Sequence, residues 1–119
     1  MKRVVLKSKI HRATVTDTDI DYDGSLTLDG MLMSEADLIP YEQIQVYNIT
    51  NGERFTTYLI KGKDGSGEVV VNGAAAKKAR TGDMLIIAAY ATMDQEEMDF
   101  FVPRIILVDD QNKIISVKQ

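Results

Sequence analysis

Short β-type runs set the pattern of this chain, with apolar and polar positions spaced for strands more often than for helices. Val4 to Leu6 and Ser8 to Val15 read as strands, and in the second Lys9 and His11 stand two apart on one face. Asp21-Tyr22-Asp23-Gly24-Ser25 is turn-rich and leads into a short strand over Leu26 to Leu28. Ser34-Glu35-Ala36-Asp37 resembles a helix start with Ser34 as cap, closed early by Pro40. Gln43 to Thr50 alternates and then meets Asn51-Gly52, which predicts a hairpin with Arg54 to Lys61 as the return strand. Lys63-Asp64-Gly65-Ser66-Gly67 predicts a flexible loop, and Glu68 to Val71 a buried strand. The run Asn72-Gly73-Ala74-Ala75-Ala76, followed by Lys77, Lys78 and Arg80, predicts a short helix with cations at its C-terminal end. Beyond it lie a strand over Met84 to Thr92, a polar loop or helical turn over Asp94 to Asp99, and a pair of strands, Arg104 to Val108 and Lys113 to Val117. Several short strands need protected edges, so the expectation is a mainly β domain closed into a barrel, with short helices.

Composition narrows this picture. A length of 119 residues suits a single domain spanning 1–119, and no linker or repeat divides it. Hydrophobic residues at 45% and charged residues at 27% describe a folded chain, not a disordered one. The net charge of -4 argues against nucleic acid, which needs a concentrated basic surface. With no cysteine, disulfides, thiolate metal sites and cysteine nucleophiles are excluded. One histidine rules out an imidazole-rich metal centre and leaves only His11 for any Ser-His-Asp triad, so no metal is expected. The apolar run of Met84 to Ala91 falls far short of the roughly 20 residues of a membrane helix, and the N-terminus lacks a signal-peptide core. The expected setting is the cytoplasm, with no membrane partner.

Four sets of residues could carry chemistry. Gly24-Ser25 is ordinarily a turn. On a strained backbone, however, the Ser25 hydroxyl can attack the Gly24 carbonyl, and elimination and hydrolysis then leave a pyruvoyl group at a new chain start. Gly65-Ser66 is a rival, although glycine on both sides of that serine would relax the strain. Lys9 and His11 form either a solvated strand face or the wall of a basic pocket. Arg54 and Tyr58, four apart on a strand, share a face, where the guanidinium could grip a carboxylate and the phenol could donate a proton. Thr57 points the opposite way in an ideal strand and reaches the same site only if the strand twists or bulges. Asn72-Gly73-Ala74-Ala75-Ala76 is either a compact turn or a place where backbone N–H groups approach an anion.

Five segments recur together: Lys9-Ile10-His11-Arg12, Tyr22-Asp23-Gly24-Ser25, Asn51 to Tyr58, Val71 to Ala76, and Gly82-Asp83 before an apolar strand. In that order and in a chain of this length, they resemble the bacterial aspartate 1-decarboxylase family, pyruvoyl enzymes that make β-alanine for pantothenate and coenzyme A. The resemblance implies a double-psi β-barrel and a homotetramer with active sites between neighbouring subunits. It implies cleavage into 1–24 and 25–119, with Gly24, Ser25 and Thr57 taking part in processing. The pyruvoyl made from Ser25 would form a Schiff base with L-aspartate, and Tyr58 would donate the proton. Lys9, Arg54, Thr57, Gly73, Ala74 and Ala75 would bind substrate, while His11, Tyr22 and Asn72 would line the site. Tyr47 stands where some relatives carry tryptophan. Some members also have a longer tail used by a maturation factor, and the expectation here is processing without one. Two alternatives stay open: the same chemistry on glutamate, since one methylene is worth only about 1–3 kcal/mol in a pocket, or an unprocessed, non-catalytic β-barrel acting as a binding module.

Overall fold

The computed structural model describes all residues from Met1 to Gln119. Its first strand, β1 (Lys2–Thr14), joins the two runs that the sequence separated. The alternation slips at Lys7 and again at Arg12, and both are places where the register against the neighbouring strand shifts. Arg12 takes a left-handed φ of 72° there. Such bulges add a residue and turn the strand without ending it, which is why a strict two-residue count broke it at Lys7.

Eight further strands follow: β2 (Asp17–Asp19), β3 (Ser25–Asp29), β4 (Gln43–Asn48), β5 (Arg54–Gly62), β6 (Val69–Asn72), β7 (Met84–Asp94), β8 (Arg104–Val108) and β9 (Ile114–Lys118). They form one mixed sheet in the order β2-β6-β3-β5-β4-β7-β1-β8-β9. The Asn51-Gly52 hairpin is present, with Gly52 at a φ of 79°, and β8 and β9 pair antiparallel as predicted. The protein is thus mainly β with short helices, and its order is consistent with a double-psi arrangement. The ladder does not close into a ring, because β2 and β9 stand at its ends.

Hydrogen bonds beyond the strand ends extend the β1–β7 and β2–β6 pairings, and Asn112 ties the β8–β9 turn to the ends of β1 and of the Gly67 loop. The Val15 N–H donates to the Asp83 carbonyl and the Thr16 N–H to Val69, at 2.8 and 2.9 Å. Buried Asn112 accepts from the Thr14 N–H at 2.8 Å and donates to the carbonyls of Thr14 and Gly67 at 2.9 and 2.8 Å. Inside the curl, Ile10, Leu26, Leu28, Ile44, Val46, Leu59, Leu85, Ile87 and Ile106 pack into one core cluster. Burying each such side chain contributes about 1.5–3 kcal/mol.

The early helix differs from expectation. α1 (Gly30–Glu35) starts before Ser34, capped by Asp29, whose carboxylate accepts from the Met31 N–H at 2.9 Å. Ser34 lies inside its last turn, and Ala36 ends it before Pro40 is reached. The alanine segment folds as a 3-10 helix over Gly73–Lys77. α2 (Gln95–Met98) is a single turn closed by a capping box between Asp94 and Glu97. No helix is long and apolar enough to cross a membrane.

Candidate active site

Ser25 opens β3 and is fully buried. Directly opposite it on β6 stands Asn72, also buried. The Asn72 amide donates to Ser25 Oγ and to Thr27 Oγ1, each at 3.0 Å. Ser25 Oγ in turn donates to the Asp23 carbonyl at 2.9 Å. The hydroxyl is therefore held between two partners beside the Gly24–Ser25 bond, where a free serine would rotate.

The next residue, Gly73, follows from sterics. Its φ is +71°, which side-chain-bearing residues avoid. A Cβ there would lie 2.5 Å from Gly24 Cα, 2.7 Å from Gly24 N and 3.1 Å from the Tyr22 carbonyl oxygen. The backbone of the Tyr22–Gly24 turn thus lies directly on Gly73. Gly24, where the sequence placed the need for unusual dihedrals, has no left-handed φ, and a Cβ on it would meet nothing within 4 Å. The demand for glycine sits across the contact, at Gly73. The Tyr22 side chain is exposed, Ala74 is exposed, and Ala75 packs against the edge of the core.

The rival serine is placed differently. Ser66 is exposed between Gly65 and Gly67, both at left-handed φ. Its hydroxyl donates to the Glu68 carboxylate at 3.0 Å and accepts from the Glu68 N–H at 3.2 Å. The loop it sits in is ordered by Asp29, which accepts from the N–H groups of Gly65 and Gly67 at 2.9 Å each. Burial pushes the Asp29 pKa up, but the N–H donors of Gly67, Met31 and Gly65, with Lys113 nearby, outweigh it and hold the carboxyl below its ordinary value. The sequence did not single out Asp29. Its signal was an acid directly before Gly30, upstream of a glycine-rich loop whose N–H groups need acceptors.

Tyr58 lies where β5 changes partner. It is the last β5 residue paired with β4, opposite Gln43, and Leu59 is the first paired with β3, opposite Leu26. Ser25 and Tyr58 are the next residues back along these two parallel strands. A groove of about 500 Å³ opens there, lined by Tyr41, Gln43, Thr56, Thr57 and Tyr58. Thr57, paired with core-facing Ile44 and so on the opposite face from Arg54 and Tyr58, also borders this groove, and the β4–β5 pairing shows no register shift there. Tyr41, whose ring centroid is 6.4 Å from that of Tyr58, went unremarked in the sequence because it lies in a loop at a left-handed φ of 71°.

The basic residues occupy one outward face. Partners directly opposite one another share a face, and the registers define a row Lys118, Ile105, Lys9, Ala88, Gln45, Thr56 across β9, β8, β1, β7, β4 and β5. The adjacent row is Ser116, Leu107, His11, Ile86, Tyr47, Arg54. Neither row contains an acid. The ion pairs elsewhere, Lys7 with Glu42 at 2.8 Å and Lys78 with Glu53 at 3.8 Å, involve none of these cations. Lys9 and His11 line a cavity of about 210 Å³ with Ile105, Leu107, Ser116 and Lys118. His11 Nδ1 is buried without a partner, and burial followed by the charges of Lys9 and Arg12 lowers the imidazole pKa below 6.5. At neutral pH the ring is therefore uncharged beside two cations.

Within one chain these residues form separate groups. Ser25, Asn72 and Gly73 form the clamp, Thr57 and Tyr58 line the groove beside it, and Arg54 stacks on Tyr47 with its guanidinium carbon 4.1 Å from the ring centroid. Lys9 and His11 lie three strands from β5, about 14 Å away at ordinary strand spacing. A larger cavity of about 650 Å³, lined by Lys7, Asp37, Phe100, Phe101, Val102, Arg104 and Gln119, contains none of the predicted site residues.

A mainly β chain with a clamped Gly-Ser junction, a neighbouring phenol and an acid-free cationic face suits an enzyme acting on a small anion. Residues 1–115 match the family described as aspartate decarboxylase. A protein of Ralstonia pickettii named aspartate 1-decarboxylase is 51% identical over 119 residues, covering 100% of this chain and 99% of its own. Proteins of the same name from Syntrophus aciditrophicus and Thermoanaerobacter pseudethanolicus are 54% and 50% identical, covering 96% and 98% of this chain and 98% and 100% of their own. The chain belongs to the aspartate decarboxylase family.

Proposed function

We propose that this protein decarboxylates L-aspartate to β-alanine and CO2, in the supply of pantothenate, with a pyruvoyl group made from its own Ser25. The observation that carries the reading is the clamp: a buried Ser25 hydroxyl fixed by Asn72 beside a Gly24 backbone that Gly73 alone leaves room for. Relatives named aspartate 1-decarboxylase over the full chain supply the substrate.

Maturation begins when Ser25 Oγ adds to the Gly24 carbonyl carbon and the Gly24–Ser25 C–N bond breaks, leaving an ester and a free amine. Loss of the Ser25 α-proton with the ester oxygen frees residues 1–24 as a carboxylate. Hydrolysis of the remaining enamine then releases ammonia and leaves a pyruvoyl at the start of 25–119. The Asn72 amide donates to Oγ and so fixes the attacking oxygen. Thr57, in the groove next to the junction, assists.

The residues present fit the group, because it is built in place from Ser25, whose buried side chain Asn72 already holds. Once formed, the pyruvoyl supplies an electron sink for the pair left when CO2 departs. Tyr58 donates the proton to the carbon that CO2 leaves. Arg54 binds a substrate carboxylate through its fork, and Lys9 supplies the second cation. Thr57 and the Gly73-Ala74-Ala75 backbone contact substrate, and His11, Tyr22 and Asn72 line the site. The roughly 14 Å between Lys9 and β5 exceeds the reach of one small substrate. That spacing supports a site shared between neighbouring copies in a homotetramer. The protein acts in the cytoplasm.

A denaturing gel with intact mass, run beside CO2 release from aspartate and from glutamate, tests this. Two fragments, the larger blocked and beginning at position 25, with CO2 from aspartate, are expected. Ser25→Ala stays whole and releases none. A single full-length wild-type species without CO2 release would overturn the reading in favour of a binding module.

A further inference from the structure

We infer that Tyr90 is a positioning residue for Arg54, acting through Tyr47. The inference rests on the reading of Arg54 as a carboxylate-binding residue. Arg54 and Tyr47 stand directly opposite each other on β5 and β4, and the guanidinium lies over the Tyr47 ring at 4.1 Å. Arg54 has no ion pair and no side-chain hydrogen bond within the chain, so this ring is its defining contact and its N–H donors stay free for a ligand. What fixes the ring then decides where the fork points.

Tyr47 is half-buried and pairs with Ile86 on β7. Four residues on, at the same face of β7, is Tyr90. The two phenols meet tip to tip, with 2.8 Å between their oxygens. Tyr90 belongs to none of the core packing and is substantially exposed within the chain, so packing inside the chain does not account for its place. Its hydroxyl removes the freedom of the Tyr47 ring to swing. The hydrogen bond to Tyr47, followed by burial, raises the Tyr90 pKa, and the Arg54 charge pulls against them, so the three side chains act on one another electrostatically. The bond requires two tyrosines: phenylalanine at either position keeps the shape and loses the tether.

Steady-state kinetics on the mature protein tests this with Tyr90→Phe, Tyr47→Phe and the double variant. Each single change is expected to raise KM for aspartate by about two- to fivefold, the scale of an exposed cation–π contact, with kcat nearly constant. The double variant should match either single one, because all three lack the same bond. Succinate binding to the same variants in an uncleaved Ser25→Ala background, measured by calorimetry, should weaken by the same factor. An unchanged KM in Tyr90→Phe, or effects that multiply in the double variant, would overturn the inference. Arg54→Met separates the two layers. If it raises KM while Tyr90→Phe does not, only the positioning role fails. If it leaves KM unchanged, the carboxylate role of Arg54 fails, and the inference with it.

Discussion

Replacing Gly73 by alanine inserts one methyl carbon at the most crowded point of the junction. Two costs follow, and they separate. The left-handed φ of +71° costs a side-chain-bearing residue about 1–2 kcal/mol, or roughly 3–8 °C in Tm for a chain of this size. The second cost is contact: the new Cβ would lie 2.5 Å from Gly24 Cα, whereas carbon atoms rest about 3.5–4.0 Å apart. The Gly24 backbone must therefore retreat by about 1 Å, and a displacement of that size at a reacting centre costs about 100-fold in rate. Self-cleavage of purified Gly73→Ala precursor, followed by denaturing gel and intact mass, should be slowed on that order. Gly82→Ala isolates the first cost, since Gly82 has a φ of +94° and no atom within 4 Å of a built Cβ. It should melt lower and mature normally. Gly24→Ala carries neither cost in the folded precursor and should melt like the wild type. If Gly73→Ala matured at the wild-type rate, or if Gly82→Ala matured as slowly, contact across the junction would not be what Gly73 provides.

Tyr58→Phe should cleave normally yet lose most turnover, because the groove keeps its shape while its proton donor is gone; normal CO2 release would remove Tyr58 from that role. Asp29→Asn turns an amide N–H toward the Gly67 N–H that Asp29 Oδ2 now accepts, which should cost about 1–3 kcal/mol in a denaturant titration. The same carboxylate sets a pH dependence. Its folded pKa lies below the ordinary 3.8, so its stabilisation is complete above that value and is lost as pH falls through the lower folded one. A wild-type acid-unfolding curve with no steeper loss below pH 3.8 than that of Asp29→Asn would refute the linkage.

Local signals in the sequence predicted local structure well. Asn51-Gly52 marked its hairpin, and the spacing of Lys9 from His11 and of Arg54 from Tyr58 placed each pair on one face, because the two-residue period holds between bulges. Where one residue interrupted that period, at Lys7, the pattern broke a strand that the neighbouring β7 keeps whole. Ser34 looked like a cap because it begins a capping pattern, but Asp29 gains more by accepting N–H groups from both α1 and the Gly65 loop. That choice depends on residues far along the chain. The same holds in the site. Gly24-Ser25 was set above Gly65-Ser66 mainly by the family resemblance, whereas the steric demand at Gly73, the approach of Tyr41 and the tether from Tyr90 exist only once distant strands are in register.

The placement of β1 changes what a cut at residue 24 means. Residues 1–24 carry the strand that lies between β7 and β8, paired with β7 from Lys2 opposite Asp94 to Thr14 opposite Met84. A fragment freed by such a cut would be the spine of the sheet, with no route out short of unfolding. Before the cut, folding is a first-order event in one chain. After it, the unfolded state is two molecules, and recovery becomes second order, with a yield that depends on dilution. Maturation would then commit the molecule to a shape it reached as a single chain, so that mature protein unfolded at low concentration should recover far less completely than the uncleaved Ser25→Ala form.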